Sequence, residues 1–337
     1  MDLIPDDEQV LLRETVRRFL ADGSDATTMG KGPMPHDAWR AVAELGLLSF
    51  LLPEAAGGTG GRPQDAAIIA EEMGRALAIT PLAESIGGAA DLIARAGDAG
   101  RTTRWVEPAL MGEHHLALAQ APVNARGDTL AGDLGIVPWA AGAAATVVLA
   151  DKRAWVVEPE ATGVTVTPVR LIDGTPGATV LLANCAATPL NVTAAEVDAC
   201  LATVRLCHTA ELVGAMTTLY EQAVAYARER KQFGVAIGSF QVVQHKLARM
   251  FVAIEQSRSL LLKAAVADRS DAGFVRATLA AKAYAAEKAQ AVAEDAVHLH
   301  GGMGVTDELA VGRGLRRVML LARASGSAAQ ARQALAA

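Results

Sequence analysis

Aromatic residues are scarce. They make up 4% of the 337 residues although 51% are hydrophobic, so the apolar mass is Ala, Val and Leu, a composition that points to packed helices. Cysteine is nearly absent. Cys185, Cys200 and Cys207 are too few and too irregularly spaced for a disulfide framework or a zinc site, so no metal is expected and a reducing, cytoplasmic setting fits. Positive charge is in deficit, with 31 Lys and Arg against 37 Asp and Glu and a net charge of -6. That balance excludes a generalised nucleic-acid-binding surface and leaves room only for a local basic patch. Long hydrophobic runs are missing too. The uncharged stretch Gly135 to Ala150 contains Pro138 and falls short of the ~20 apolar residues of a membrane span. The first residues, with Asp2, Asp6, Asp7 and Glu8, are acidic where a secretory signal would be basic. No repeat of solenoid length and no low-complexity tail is present.

What is there divides into three textures. Residues 1–112 read as helical. Val10, Leu11, Val16, Phe19 and Leu20 have the spacing of one buried helix face. A second helix is expected over about 35–48, with Trp39, Val42, Leu45 and Leu48, and a third from Pro63. Between them lies Pro53–Gly61, whose four glycines imply unusual backbone angles or close contacts. Residues 113–195 change to short β-rich runs at 145–149, 154–157, 164–169 and 178–182, the signature of a small antiparallel barrel or sandwich. Residues 196–337 return to long helices, expected at about 195–231, from Ser239, at 271–300 and at 307–335, which together make a four-helix bundle. The expected order is N-terminal helical domain, middle β domain, C-terminal bundle.

Two segments carry the chemistry. Tyr226–Gly234 followed by Ile237–Gln241 reads as a helix end, a turn, and a new helix capped by Ser239. Arg230 and Gln241 could point into one gap there, or the segment could be an ordinary turn with solvated charges. His298-Leu299-His300-Gly301-Gly302-Met303-Gly304 is a glycine-rich loop between helices, and such loops let backbone amides approach an anion.

Together with "WRAVAELGLLSFLLPEAAGGTGG", the "ARERKQFG" and "IGSFQ" block and "HLHGGMG" resemble the acyl-CoA dehydrogenase family over essentially the whole chain. The resemblance implies a flavoprotein that oxidises the α,β carbon–carbon bond of an acyl-CoA thioester. It also implies a dimer-of-dimers assembly with FAD between subunits and an electron-transferring flavoprotein as acceptor. It assigns Arg230 to the FAD pyrophosphate, Phe233 to packing near the cofactor and Gln241 to a further cofactor contact. His298, Gly301, Gly302 and Gly304 fall on the family's Q-x-x-GG-x-G loop, with His in place of the commoner Gln. A diphosphate between subunits needs a fixed cation and backbone donors, which these residues supply.

The departures from the family pattern are local. The segment that cups the flavin ring, T-E-P-x-x-G-S-D in the family, is here Leu116–Pro122, with Ala119 where a hydroxyl is expected. The later W-I-T segment survives only as Val137-Pro138-Trp139-Ala140. Family chemistry needs a carboxylate to take the α-proton while hydride leaves the β-carbon. Its two known positions hold Ser325 and Val204, and neither is a general base at neutral pH. Glu211, seven residues after Val204 and nearly on the same helix face, is the candidate base, or else a glutamate paired to another helix. The resemblance therefore extends to short bacterial members that act as one subunit of heteromeric α2β2 steroid side-chain acyl-CoA dehydrogenases. In that reading this chain supplies FAD contacts to a catalytic partner. The alternatives are a homo-oligomer using Glu211 and a non-catalytic scaffold with the same fold.

Overall fold

The computed structural model describes residues 5–23 and 28–336. Asp6 opens α1 (Asp7–Gly23): its carboxylate accepts from the Gln9 amide at 2.9 Å while Gln9 Oε1 accepts from the Asp6 amide at 3.3 Å. Val10 and Leu11, expected on the buried face, are 44% and 61% exposed. The buried stripe is Gln9, Val16 and Leu20, because Gln9 Nε2 donates to Asp65 Oδ1 at 3.0 Å and turns that edge of the helix inward. Helix α2 (His36–Glu44) ends sooner than expected, at a turn in which Gly46 has φ +75°, and Leu47 and Leu48 reach the core from that turn. In the glycine-rich loop a Cβ on Gly58 would lie 2.1 Å from the Leu52 carbonyl oxygen, so close contact is what the glycine serves there.

Helix α3 (Pro63–Arg75) crosses the first bundle helix, α7 (Ala194–Glu229), backbone to backbone. A Cβ on Gly74 would sit 2.2 Å from the Glu211 carbonyl oxygen, and one on Gly214 would sit 2.0 Å from that of Glu71. This crossing fixes where the inner half of α7 meets the N-terminal helices. A wide π-helical turn, Leu82–Ala90, runs into α4 (Asp91–Arg95). Then α5 (Ala99–Arg101), a second π-helical turn and α6 (Glu107–Leu110) lead to the strands.

The strands form two four-stranded sheets. One contains β1 (Ala117–Gln120), β4 (Thr146–Ala150), β5 (Arg153–Val157) and β8 (Thr188–Pro189) in that order, with β1 and β4 parallel. The other is antiparallel, in the order β2 (Asn124–Arg126), β3 (Thr129–Pro138), β7 (Pro176–Ala186), β6 (Val164–Arg170). Strand β4 is buried at every position because both its faces are covered. Val148 joins a core between the sheets with Trp155 and Val157, while Val147 and Leu149 join the core of the helices.

Thr193 and Glu196 form a capping box that starts α7 (Ala194–Glu229). A short hairpin of β9 (Lys231–Gln232) and β10 (Val235–Ala236) follows, then α8 (Gln241–Ala265) and α9 (Ala272–His300). Ser239 does not cap α8: its hydroxyl donates to the Ala236 carbonyl at 2.7 Å, and Phe240 occupies the cap position. The expected fourth helix is two, α10 (Ala310–Leu321) and α11 (Ala328–Ala336), broken where Ser325 and Gly326 take φ +52° and +99°. The helices before and after the sheets share one apolar core. Among the described residues no helix is long and apolar enough to cross a membrane.

Candidate functional site

Helix α7 carries polar side chains of two kinds, one group at its middle and one at its C-terminal end. At its C-terminus Tyr226 and Arg230 meet the glycine loop. Arg230, Gly301 and Gly302 line one surface depression of about 470 Å³, together with Tyr226 and His300. Tyr226 and His300 stack there, ring centroids 4.4 Å apart, and His300 Nδ1 lies 2.8 Å from the Ala296 carbonyl oxygen. Arg230 is exposed, and among the described residues its guanidinium has no partner. A Cβ on Gly301 or Gly302 would meet open space, so these glycines leave the backbone accessible rather than filling a contact. Gly304 has the opposite role: it is buried, and a Cβ would press to 2.6 Å from the Val297 carbonyl oxygen. Phe233, Gln241 and His298 are exposed on the same end of the bundle but do not line this depression. Phe233 sits at φ +52° in the hairpin turn, 94% exposed, its ring edge-on to Phe240 at 6.2 Å. His298 Nδ1 lies 3.4 Å from Lys246 Nζ, which is itself ion-paired with Asp295.

The inner half of α7 is largely buried, and its carboxylate Glu211 is matched by a cation. Glu211 accepts from Arg317 Nη2 of α10 at 2.5 Å. Arg317 Nη1 donates to Asp173 at 2.9 Å, and Asp173 in turn accepts from the Thr175 amide at 2.9 Å. The pair thus ties the bundle to the β6–β7 turn. Burial pushes the Glu211 carboxyl upward, with Arg317 and His208 pulling against it. Lys282 of α9 is wholly buried and donates to the Leu321 carbonyl at 2.5 Å, closing the end of α10. Burial, reinforced by the Arg205 charge, lowers its pKa to about 7.

Val204 and Ser325, the two positions where a carboxylate is expected, lie around one group that the sequence reading passed over. His208 is one helical turn beyond Val204 on the same face of α7. Its Nδ1 is 3.2 Å from Ser325 Oγ and its Nε2 is 3.1 Å from Glu84 Oε1. The i, i+4 spacing from Val204 was the available signal, but nothing in the sequence places Glu84 of the π-helical turn opposite it. Val204 itself is buried, and a Cβ on Gly88 would crowd Leu118 at 2.7 Å and Val204 at 3.1 Å. Ala119, at the expected hydroxyl position, is buried in the core between the sheets.

This arrangement matches known proteins along its length. The profile of the acyl-CoA dehydrogenase N-terminal domain matches residues 6–113, and that of the C-terminal domain matches residues 195–337. The protein named probable acyl-CoA dehydrogenase YngJ, from Bacillus subtilis (strain 168), is 30% identical over 95% of this chain and 94% of its own. The chain belongs to the acyl-CoA dehydrogenase family. Other acyl-CoA dehydrogenases are similarly related. FadE34 of Mycobacterium tuberculosis is 32% identical over 90% of this chain, which spans only 44% of FadE34. Among solved structures, the Tcur3481-Tcur3483 steroid ACAD G363A variant superimposes with a TM-score of 0.86 at 27% identity, over 98% of this chain and 97% of its own. The ChsE4-ChsE5 complex from Mycobacterium tuberculosis does so with a TM-score of 0.87 at 26% identity, over 100% and 98%. Acyl-CoA dehydrogenases are flavoprotein oxidoreductases acting on acyl-CoA, so both regions of α7 lie in a fold built for that chemistry.

Proposed function

We propose that this chain is one subunit of a heteromeric, FAD-dependent acyl-CoA dehydrogenase and supplies pyrophosphate contacts across the interface to a catalytic partner. The observation that carries it is the contrast within the chain. An unpartnered Arg230 and the open Gly301–Gly302 backbone face one exposed depression, while Leu118, Ala119 and Val204 are packed. An exposed guanidinium beside accessible amides fits a diphosphate, which takes charge-assisted and backbone hydrogen bonds. Phe233, Gln241 and His298 stand on the same face as further contacts to the cofactor and the partner. Bound FAD supplies hydride acceptance from the β-carbon of the acyl-CoA. This chain's residues orient it: Arg230 neutralises charge, the glycine loop offers amides, and Phe233 covers apolar surface. The paired naming of the steroid ACAD and the ChsE4-ChsE5 complex supports a second acyl-CoA dehydrogenase chain and a steroid-type acyl group. An electron-transferring flavoprotein would be the acceptor.

Glu211 is the base only in the homo-oligomeric alternative. Its engagement with Arg317 favours a structural role here. The test is anaerobic flavin bleaching by acyl-CoA in the assembled protein, comparing wild type with Glu211→Gln. Equal rates place the base in the partner. A fall of ~10²–10⁴-fold with unchanged flavin content, the usual loss on removing a general base, would place it in this chain.

A further inference from the structure

The break between α10 and α11 presents a serine to a buried histidine that is held by a partly buried acid. Ser325 is half-buried at φ +52°, a left-handed conformation that costs an L-residue energy and concentrates at functional positions. Its Oγ lies 3.2 Å from His208 Nδ1, and His208 Nε2 lies 3.1 Å from Glu84 Oε1. The tautomer follows from chemistry. An ionised carboxylate only accepts, so neutral His208 must donate from Nε2 to Glu84 and leave Nδ1 to accept from the Ser325 hydroxyl. The thiol next to His208 in the chain, Cys207, is raised by burial and stays protonated, so it offers no competing nucleophile.

We propose that Ser325, His208 and Glu84 form a catalytic triad in which Ser325 is an activated nucleophile toward acyl esters and thioesters. The roles are those of the serine-hydrolase template with the two ring nitrogens exchanged. Gly326 follows the nucleophile at φ +99°, and a Cβ there would meet open space. Its backbone N–H has no hydrogen-bond partner among the described residues, which leaves it free to receive the developing oxyanion. The step balances. Ser325 Oγ forms a bond to the acyl carbon, its proton passes to His208 Nδ1, and the carbon–sulfur or carbon–oxygen bond breaks. The leaving thiolate or alkoxide takes that proton. Water then attacks the acyl-serine through the same histidine, so the net products are a carboxylic acid and a thiol or alcohol, with no oxidant. The triad is independent of flavin and of the heteromer.

The test uses the full chain and a fluorophosphonate probe, read by intact mass and peptide mapping, with p-nitrophenyl acetate hydrolysis as a second readout. The expected result is one adduct on Ser325. Ser325→Ala and Ser325→Gly lose it, the glycine variant relieving any backbone strain. His208→Asn should slow labelling by ~100-fold or more, as for loss of a general base, and Glu84→Gln by ~10-fold or more through loss of the tautomer. Far-UV circular dichroism checks each variant, and if His208→Asn does not fold, Glu84→Gln and Ser325→Gly decide alone. An unlabelled wild type, an adduct that survives Ser325→Gly, or a labelling rate unchanged by Glu84→Gln would each overturn the proposal.

Discussion

The buried middle of α7 and its exposed C-terminus treat charge in opposite ways. At residues 208–211 the side chains of His208 and Glu211 are buried and partnered, and the partners come from distant parts of the chain: Glu84 and Ser325 for His208, and Arg317, itself paired with Asp173, for Glu211. At residue 230 a guanidinium is exposed and, among the described residues, left without a partner beside an open glycine backbone. A buried pair is a structural commitment, because removing one member strands the other charge in a medium that cannot solvate it. An exposed, unmatched cation contributes nothing to the fold by itself and is available to a ligand. The same helix thus separates what holds this chain together from what it offers to another molecule.

Arg317→Met should break the buried middle most strongly. It leaves Glu211 and Asp173 buried without their shared cation, a loss of about 3–5 kcal/mol in urea unfolding. A loss below about 1 kcal/mol would mean that the cluster is solvated. Arg230→Ala should do the reverse, leaving unfolding unchanged while lowering FAD retention in the assembled protein. The charge-assisted bonds it removes are worth about 1.5–3 kcal/mol, or one to two orders of magnitude in affinity. Dialysis and flavin absorbance measure it, and full retention would reduce Arg230 to a surface charge.

Lys282 sharpens the buried middle through pH. Its folded pKa of about 7 lies below its ordinary value of 10.5, so between those limits the unfolded chain binds more protons. Stability from this group therefore rises with pH from about 7 toward 10, by about 1 kcal/mol per unit, and levels off at its lowest value below 7, where both states are protonated. Lys282→Met should flatten that slope in unfolding curves. The smallest effect belongs to Phe233→Gly. With the ring 94% exposed at φ +52°, relief of backbone strain and lost chain stiffness should offset within about 0.5 kcal/mol, with any visible effect confined to flavin retention.

The exposed end was legible in the sequence because its chemistry is contiguous. Arg230 and the hairpin lie in one segment, the glycine loop in another, and both mark helix ends. The layered order of helices and strands was legible for the same reason, since periodicity is local. The buried middle was not. Glu211 stands out as a carboxylate in an apolar run, but its partner lies 106 residues away, and the contacts of His208 lie 124 and 117 residues away. Only the Gly74–Gly214 crossing and the break at Ser325 bring these groups together. Val10 and Leu11 misled for a related reason: a polar Gln9 bonded to Asp65 outranked two apolar side chains in setting the helix face.

The most direct measurement is flavin stoichiometry against native mass. Expressed alone, this chain should hold FAD poorly. With a second acyl-CoA dehydrogenase chain it should form a tetramer carrying fewer flavins than chains. A stable homotetramer with one FAD per chain would contradict the account.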